Sequence, residues 1–259
     1  MNSYTNLTFN HVGYNLREQG RVYGVGDSKM KMSRTIFAVI LVLFSSCMDE
    51  AGDQIEIFSV NYDFSAGPGG WTADFTDYPV NDAPQADTVY RWKAEFMPAA
   101  ASEIGQDAYM ISCRNVSGDV FMFLKNKIDG LKPNTNYNVV YEITLSSDAI
   151  AGQGIILKGG ASELEPRKVI ENNYYVLNID KGTDTTSGEN AISLGDIGVS
   201  NPTEDFNPAV KGNLNTYQPF VTKTNSHGEL WLVLGTDSLF EGTTTVYFTS
   251  INLFFSVSE

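Results

Sequence analysis

Four aromatic residues and one run of oxygen donors are the side chains whose types and spacing could do chemistry. Trp71, Tyr78, Tyr90 and Trp92 flank Gly- and Pro-rich stretches rather than alternating along a strand. Exposed indole and phenol rings offer flat apolar faces to a sugar ring, while nearby Asp, Asn and Arg bond its hydroxyls. The same rings could instead plug one end of an apolar core. The oxygen-rich run from Asp180 through Asp184 to Glu189 supplies carboxylates and loop carbonyls, the donors that Ca²⁺ prefers. It lacks EF-hand spacing, and a solvated loop is the competing reading. Asp63 and Asp196 are rival oxygen donors or plain turn formers.

Other chemistries lack material. The sequence has no G-x-S-x-G elbow, H-E-x-x-H pair or P-loop. His227 is the only histidine after Cys47, and its setting, Asn225-Ser226-His227-Gly228, reads as a hairpin turn. A glycosidase needs only two carboxylates. Here 29 Asp and Glu follow residue 46, so spacing selects no pair. The balance points away from an enzyme. Only 12 Lys and Arg oppose those acids, a net −17, with no basic cluster to neutralise phosphates, so nucleic acid is not an expected partner.

The elements that must position these residues begin with a leader. Met30 to Arg34 is a short basic head, Thr35 to Phe44 an apolar run, and Ser45-Ser46 precede Cys47. That order describes a secretory signal peptide. The run is short of the ~20 residues of a spanning helix. The cysteine after two small residues looks like a bacterial lipobox, with Cys47 as the lipidated first residue. Residues 1–29 then read as a mis-called start, 30–46 as the signal peptide, 47–53 as an acidic tether and 54–259 as the folded domain. The expected location is the bacterial cell envelope: an outer-membrane lipoprotein held by its lipid anchor alone, with Asp49-Glu50 placed as a surface-export signal would be. Cys113 is left as a small buried strand residue.

From Gln54 onward, β-branched and aromatic runs alternate with turn residues, and no long helical pattern occurs. Asp119–Ile128 is nearly continuous in apolar residues, which suits a strand buried on both faces. Tyr137, Val139, Tyr141, Ile143 and Leu145 recur with period 2. Val89–Phe96 reads as a strand, Asn201–Gln218 as a long irregular loop, and Trp231 as core. The expectation is an all-β, antiparallel β-sandwich (jelly roll) of about ten strands. A jelly roll further requires a strand near Ile57 to pair with one near Leu253.

Several segments resemble a family of secreted bacterial proteins of Bacteroidetes type. They are Tyr62-Asp-Phe-Ser65 with Gly67-Pro68, Gly70-Trp71 and Asp77-Tyr-Pro79; Asp119-Val-Phe-Met-Phe-Leu-Lys125; Leu157-Lys-Gly-Gly-Ala-Ser162 with Glu165-Pro166; Asn178-Ile-Asp-Lys-Gly182; and Gly195-Asp-Ile197. No established activity attaches to that family, so the resemblance implies a fold and no chemistry. Gly130-Leu-Lys-Pro-Asn-Thr-Asn-Tyr137 also resembles the turn into a strand of galactose-binding-like jelly rolls and carbohydrate-binding modules. That segment is common to β-sandwiches of several functions; the expected function, a non-catalytic domain that takes a polysaccharide or other glycan, rests on the loop aromatics Trp71, Tyr78, Tyr90 and Trp92. A structural or protein-interaction lipoprotein is the alternative, and an all-β glycosidase the third reading.

Overall fold

The computed structural model describes residues 3–7, 56–199, 206–214 and 219–258. Among them the strands run in chain order β1 (Ser3–Leu7), β2 (Ile57–Asp63), β3 (Thr72–Thr76), β4 (Tyr78–Pro79), β5 (Lys93–Met97), β6 (Ala108–Asn115), β7 (Val120–Ile128), β8 (Asn136–Ser147), β9 (Ile155–Ser162), β10 (Lys168–Glu171), β11 (Tyr174–Leu177), β12 (Ala191–Asp196), β13 (Asn207–Gly212), β14 (Phe220–Lys223), β15 (Leu230–Ser238) and β16 (Gly242–Val257). Sixteen strands exceed the ten expected, because short pairing segments inside loops carry no visible period.

The long strand β16 holds the first sheet together. Its first half pairs with β6, with Thr244 opposite Cys113, and its second half pairs with β2. Phe255 faces Phe58 and Leu253 faces Val60, the early-to-late pairing that a jelly roll requires. A register shift between Phe248 and Ser250 marks a bulge on the β8 side of β16. β8 borders β16 along its length and also pairs β13 and β14; β5 and β1 close the other edges. The second sheet runs β12-β9-β15-β7-β3, all antiparallel.

The core lies between the two sheets. Tyr141, Ile143 and Leu145 of β8 and Ile251, Leu253 and Phe255 of β16 join Met122 and Leu124 of β7 and Leu230, Leu232 and Leu234 of β15. The period-2 face of β8 is therefore the inward face, as its sequence dictates. The fold is an antiparallel β-sandwich.

A second apolar layer lies on the far side of β7, where Phe121, Phe123, Leu177, Ile179, Ala191 and Val233 cluster. Residues Val120 to Leu124 are thus buried on both faces, which accounts for their unbroken apolar run. What covers them is the excursion from β10 to β12, with β10, β11 and β4 forming a small third sheet. Gly235 makes this layer thin. A Cβ there would lie 2.9 Å from Phe121 Cζ and 2.8 Å from Phe123 Cβ, so glycine lets the two stacked rings, 5.4 Å apart, settle against β15.

Two expectations give way. The segment from Val80 to Val89 is a 3₁₀ turn (Val80–Gln85) followed by the single helical turn α1 (Ala86–Val89), and the strand starts only at Lys93. Pro84 and the acids in between favour local turns over a ladder. Within the expected 201–218 loop, Asn207–Gly212 forms β13 against β8. At the chain start, Ser3–Leu7 pairs antiparallel with β2. The leader from Met30 to Cys47 and the tether lie outside the described residues.

Candidate functional site

Trp71, Tyr78 and Tyr90 do not form an exposed platform. They are 4%, 4% and 0% exposed and belong to the main core. Phe75 stacks on Tyr78 with ring centres 4.6 Å apart, and Tyr90 lies 5.7 Å from Phe75 and 5.2 Å from Tyr78. Trp92 is partly buried against the same core, 5.1 Å from Phe75. Trp71 packs edge-on against Tyr62 at 5.2 Å. The platform reading is therefore corrected: the Gly/Pro-rich loop folds inward, and these rings close one end of the sandwich. Tyr90 Oη donates to Asp82 Oδ2 at 2.8 Å, and burial with that bond pushes its phenol well above the usual range. Trp231, expected in the core, sits half-buried on the outward face of β15, with Lys125 Nζ 5.8 Å from its ring centre.

Asp180, Asp184 and Glu189 are not brought together as cation ligands. Asp180 spends its carboxylate on the loop itself: Gly182 N donates to Oδ1 and Glu189 N to Oδ2, each at 2.9 Å. Those two amides favour the carboxylate and hold its pKa below the ordinary aspartate value. Asp63 and Asp196 are turn formers, accepting from Ser65 N and from Gly198 N and Gly152 N. His227 is exposed in its turn, where Asn225 Oδ1 accepts from His227 N. Cys113 is buried in β6, and burial pushes its thiol up to about 12, far from a reactive thiolate.

Among the described residues, the carboxylates that do converge are Asp77, Asp119 and Asp237, with one oxygen from each within 4.8 Å of the others. Sequence reasoning missed them because they come from the residue after β3, the turn before β7 and the C-terminal end of β15. Asp77 and Asp237 are buried, at 7% and 2% exposure. Lys181 reaches over the Phe121 ring to place Nζ 2.7 Å from Asp237 Oδ2 and 3.0 Å from Asp77 Oδ2. Burial works against the Lys181 charge, but the two aspartates outweigh it and raise its proton affinity. Burial raises Asp237 as well, beyond what Lys181 takes back. The lysine is thus raised by its two aspartates against burial, whereas Asp237 is raised by burial, with Asp77 adding to it, against the pull of Lys181 and Lys158. Asp119, exposed by area but crowded at its carboxylate, is pushed up to about 7 by desolvation and then by Asp77 and Asp237.

A polar cleft of 550 Å³ also borders this excursion, lined among others by Asn136, Glu163, Leu164, Asn178, Glu189, Asn190, Val221 and Lys223. Asn178 and Asn190 are braced, since Asn178 Nδ2 donates to Glu165 O and Asn190 Oδ1 accepts from Asp180 N. Glu163, Glu189 and Lys223 are exposed, and Leu164 and Val221, at 59% and 43% exposure, add apolar surface. Ser162, on the cleft wall, lies directly opposite Trp231 in the sheet.

No protein-family model and no curated protein sequence matches the chain. Among solved structures, one described as the structural basis for promiscuous specificity of carbohydrate-binding modules of the β-sandwich superfamily aligns over 75% of this chain and 71% of its own, at 12% identity and a TM-score of 0.34. The module TmCBM61, solved with β-1,4-galactotriose, aligns over 73% and 92%, at 10% identity and 0.33. A cleaved adhesin domain of Lys-gingipain from Porphyromonas gingivalis aligns over 75% and 96%, at 10% identity and 0.32. The β-sandwich assignment rests on the strand register of this chain itself.

Proposed function

We propose that the chain is a cell-envelope lipoprotein whose β-sandwich binds carbohydrate without catalysis, and that the 550 Å³ polar cleft, not the loop aromatics, is the binding surface. The cleft carries this reading. Its volume falls within the range of small-ligand sites. A sugar presents hydroxyls that both donate and accept, and C–H faces that are apolar. The amides of Asn178 and Asn190, the carboxylates of Glu163 and Glu189, the Lys223 ammonium and the apolar Leu164 and Val221 match those three demands. Asp180 contributes by fixing the loop that carries Glu189 and Asn190. A broad glycan screen of the purified protein should return at least one polysaccharide or oligosaccharide class. A screen without hits would move the assignment to a protein-interaction lipoprotein. That second reading has its own observation: Val210 and Leu214, 66% and 71% exposed, border a 260 Å³ depression shared with Val140 and Phe254.

The envelope part of the proposal rests on the Met30–Cys47 leader. No helix of the described residues is long and apolar enough to cross a membrane. Mass spectrometry of membrane-extracted protein is expected to find a mature N-terminus at a diacylated Cys47, and Cys47→Ala to abolish that product. A full-length soluble chain starting at Met1 would contradict it. Cleavage at this point would also remove Ser3–Leu7 from the edge of β2.

A further inference from the structure

We propose that Asp77, Asp119 and Asp237 form a binding site for a hard divalent cation, Ca²⁺ in the first instance. The proposal is independent of the carbohydrate reading. Three carboxylates converge within 4.8 Å, and the donors are oxygens with no thiolate or imidazole among them, a set that favours Ca²⁺, Mg²⁺ or Mn²⁺ over zinc and copper. The ammonium of Lys181 does not complete this arrangement. It engages Oδ2 of Asp237 by a hydrogen bond of 2.7 Å and stands 3.0 Å from Oδ2 of Asp77.

Asp237 Oδ1 is left without any hydrogen-bond partner, although the residue is 2% exposed. A buried carboxylate oxygen with no donor is an exception among folded proteins and calls for a bound ion or water. Thr76 Oγ1 is likewise buried and unpartnered. It belongs to the cross-strand row Thr76–Phe121–Asp237, whose members share one face of the sheet. Asp119, exposed at the rim, gives the cluster contact with solvent and a route for the ion.

The test starts from protein stripped with chelator. Added Ca²⁺ is expected to raise the melting temperature in a concentration-dependent way, and elemental analysis after desalting should find about one metal per chain, set by the single cluster. Asp119→Asn alters only the exposed ligand, so its circular dichroism should match the wild type while its Ca²⁺ affinity falls at least about tenfold, as loss of one of three charged ligands implies. Glu189→Gln, in the oxygen-rich loop, should retain wild-type affinity. Absence of both bound metal and melting shift in the wild type would overturn the proposal and leave the ammonium groups of Lys181 and Lys158 to balance the aspartates. So would an Asp119→Asn variant that binds as the wild type does, or loss of binding in Glu189→Gln.

Discussion

Replacing Tyr90 by alanine is expected to lower stability by about 3–5 kcal/mol, the range for removing a large core aromatic. For a domain of this size that corresponds to a fall in Tm on the order of 10 °C. The ring is fully buried against the stacked Phe75 and Tyr78, so its removal opens a cavity at the closed end of the sandwich. Tyr90→Phe keeps the ring and loses the bond to the Asp82 carboxylate, a change of about 1.5–3 kcal/mol. Thermal and urea unfolding of the two variants separate packing from hydrogen bonding. A Tyr90→Ala protein as stable as the wild type would contradict the burial of this cluster.

The second large effect belongs to Lys181. Lys181→Met removes the ammonium that forms ion pairs with both Asp77 and Asp237. Breaking a buried ion pair by deleting one partner typically costs about 3–5 kcal/mol, because the remaining charges stay buried and unpaired. Adding Asp237→Asn to Lys181→Met should recover part of that loss, since it takes away one of the stranded charges. Urea denaturation in chelator measures both variants. A double variant less stable than Lys181→Met alone would show that excess negative charge is not what the lysine relieves.

The fold is more legible in the sequence than the site, and the reasons differ by residue. Tyr137 to Leu145 declares its inward face because a strand with one buried side must alternate. Val120 to Leu124 declares two buried sides because it does not. A jelly roll requires the β2–β16 pairing, but contacts between residues as distant as Phe58 and Phe255 leave no periodic trace in the chain. Trp71, Tyr78 and Tyr90 mislead for a related reason. Position beside glycine and proline places a ring in a loop but does not say whether the loop turns toward solvent or core. Here Asp77 takes a left-handed conformation, φ 70°, and the chain turns inward around it. Asp180 stands out in the sequence as an oxygen donor, yet its role is to accept two backbone amides of its own loop. Asp77, Asp119 and Asp237 stand far apart in sequence, and only the β3–β7–β15 register unites them.

The most direct test of the carbohydrate reading is a calorimetric titration of a glycan found by screening into the wild type, Glu163→Ala and Lys223→Ala. Both positions are exposed on the cleft wall, so Tm should stay within a few degrees of the wild type, as expected for surface substitutions of about 0.5 kcal/mol or less. Affinity should fall about tenfold or more in each, the loss of a charged hydrogen bond of about 1.5–3 kcal/mol. Unchanged affinity in both variants, with the wild type binding the glycan, would place the sugar elsewhere on the protein and contradict the cleft as the site.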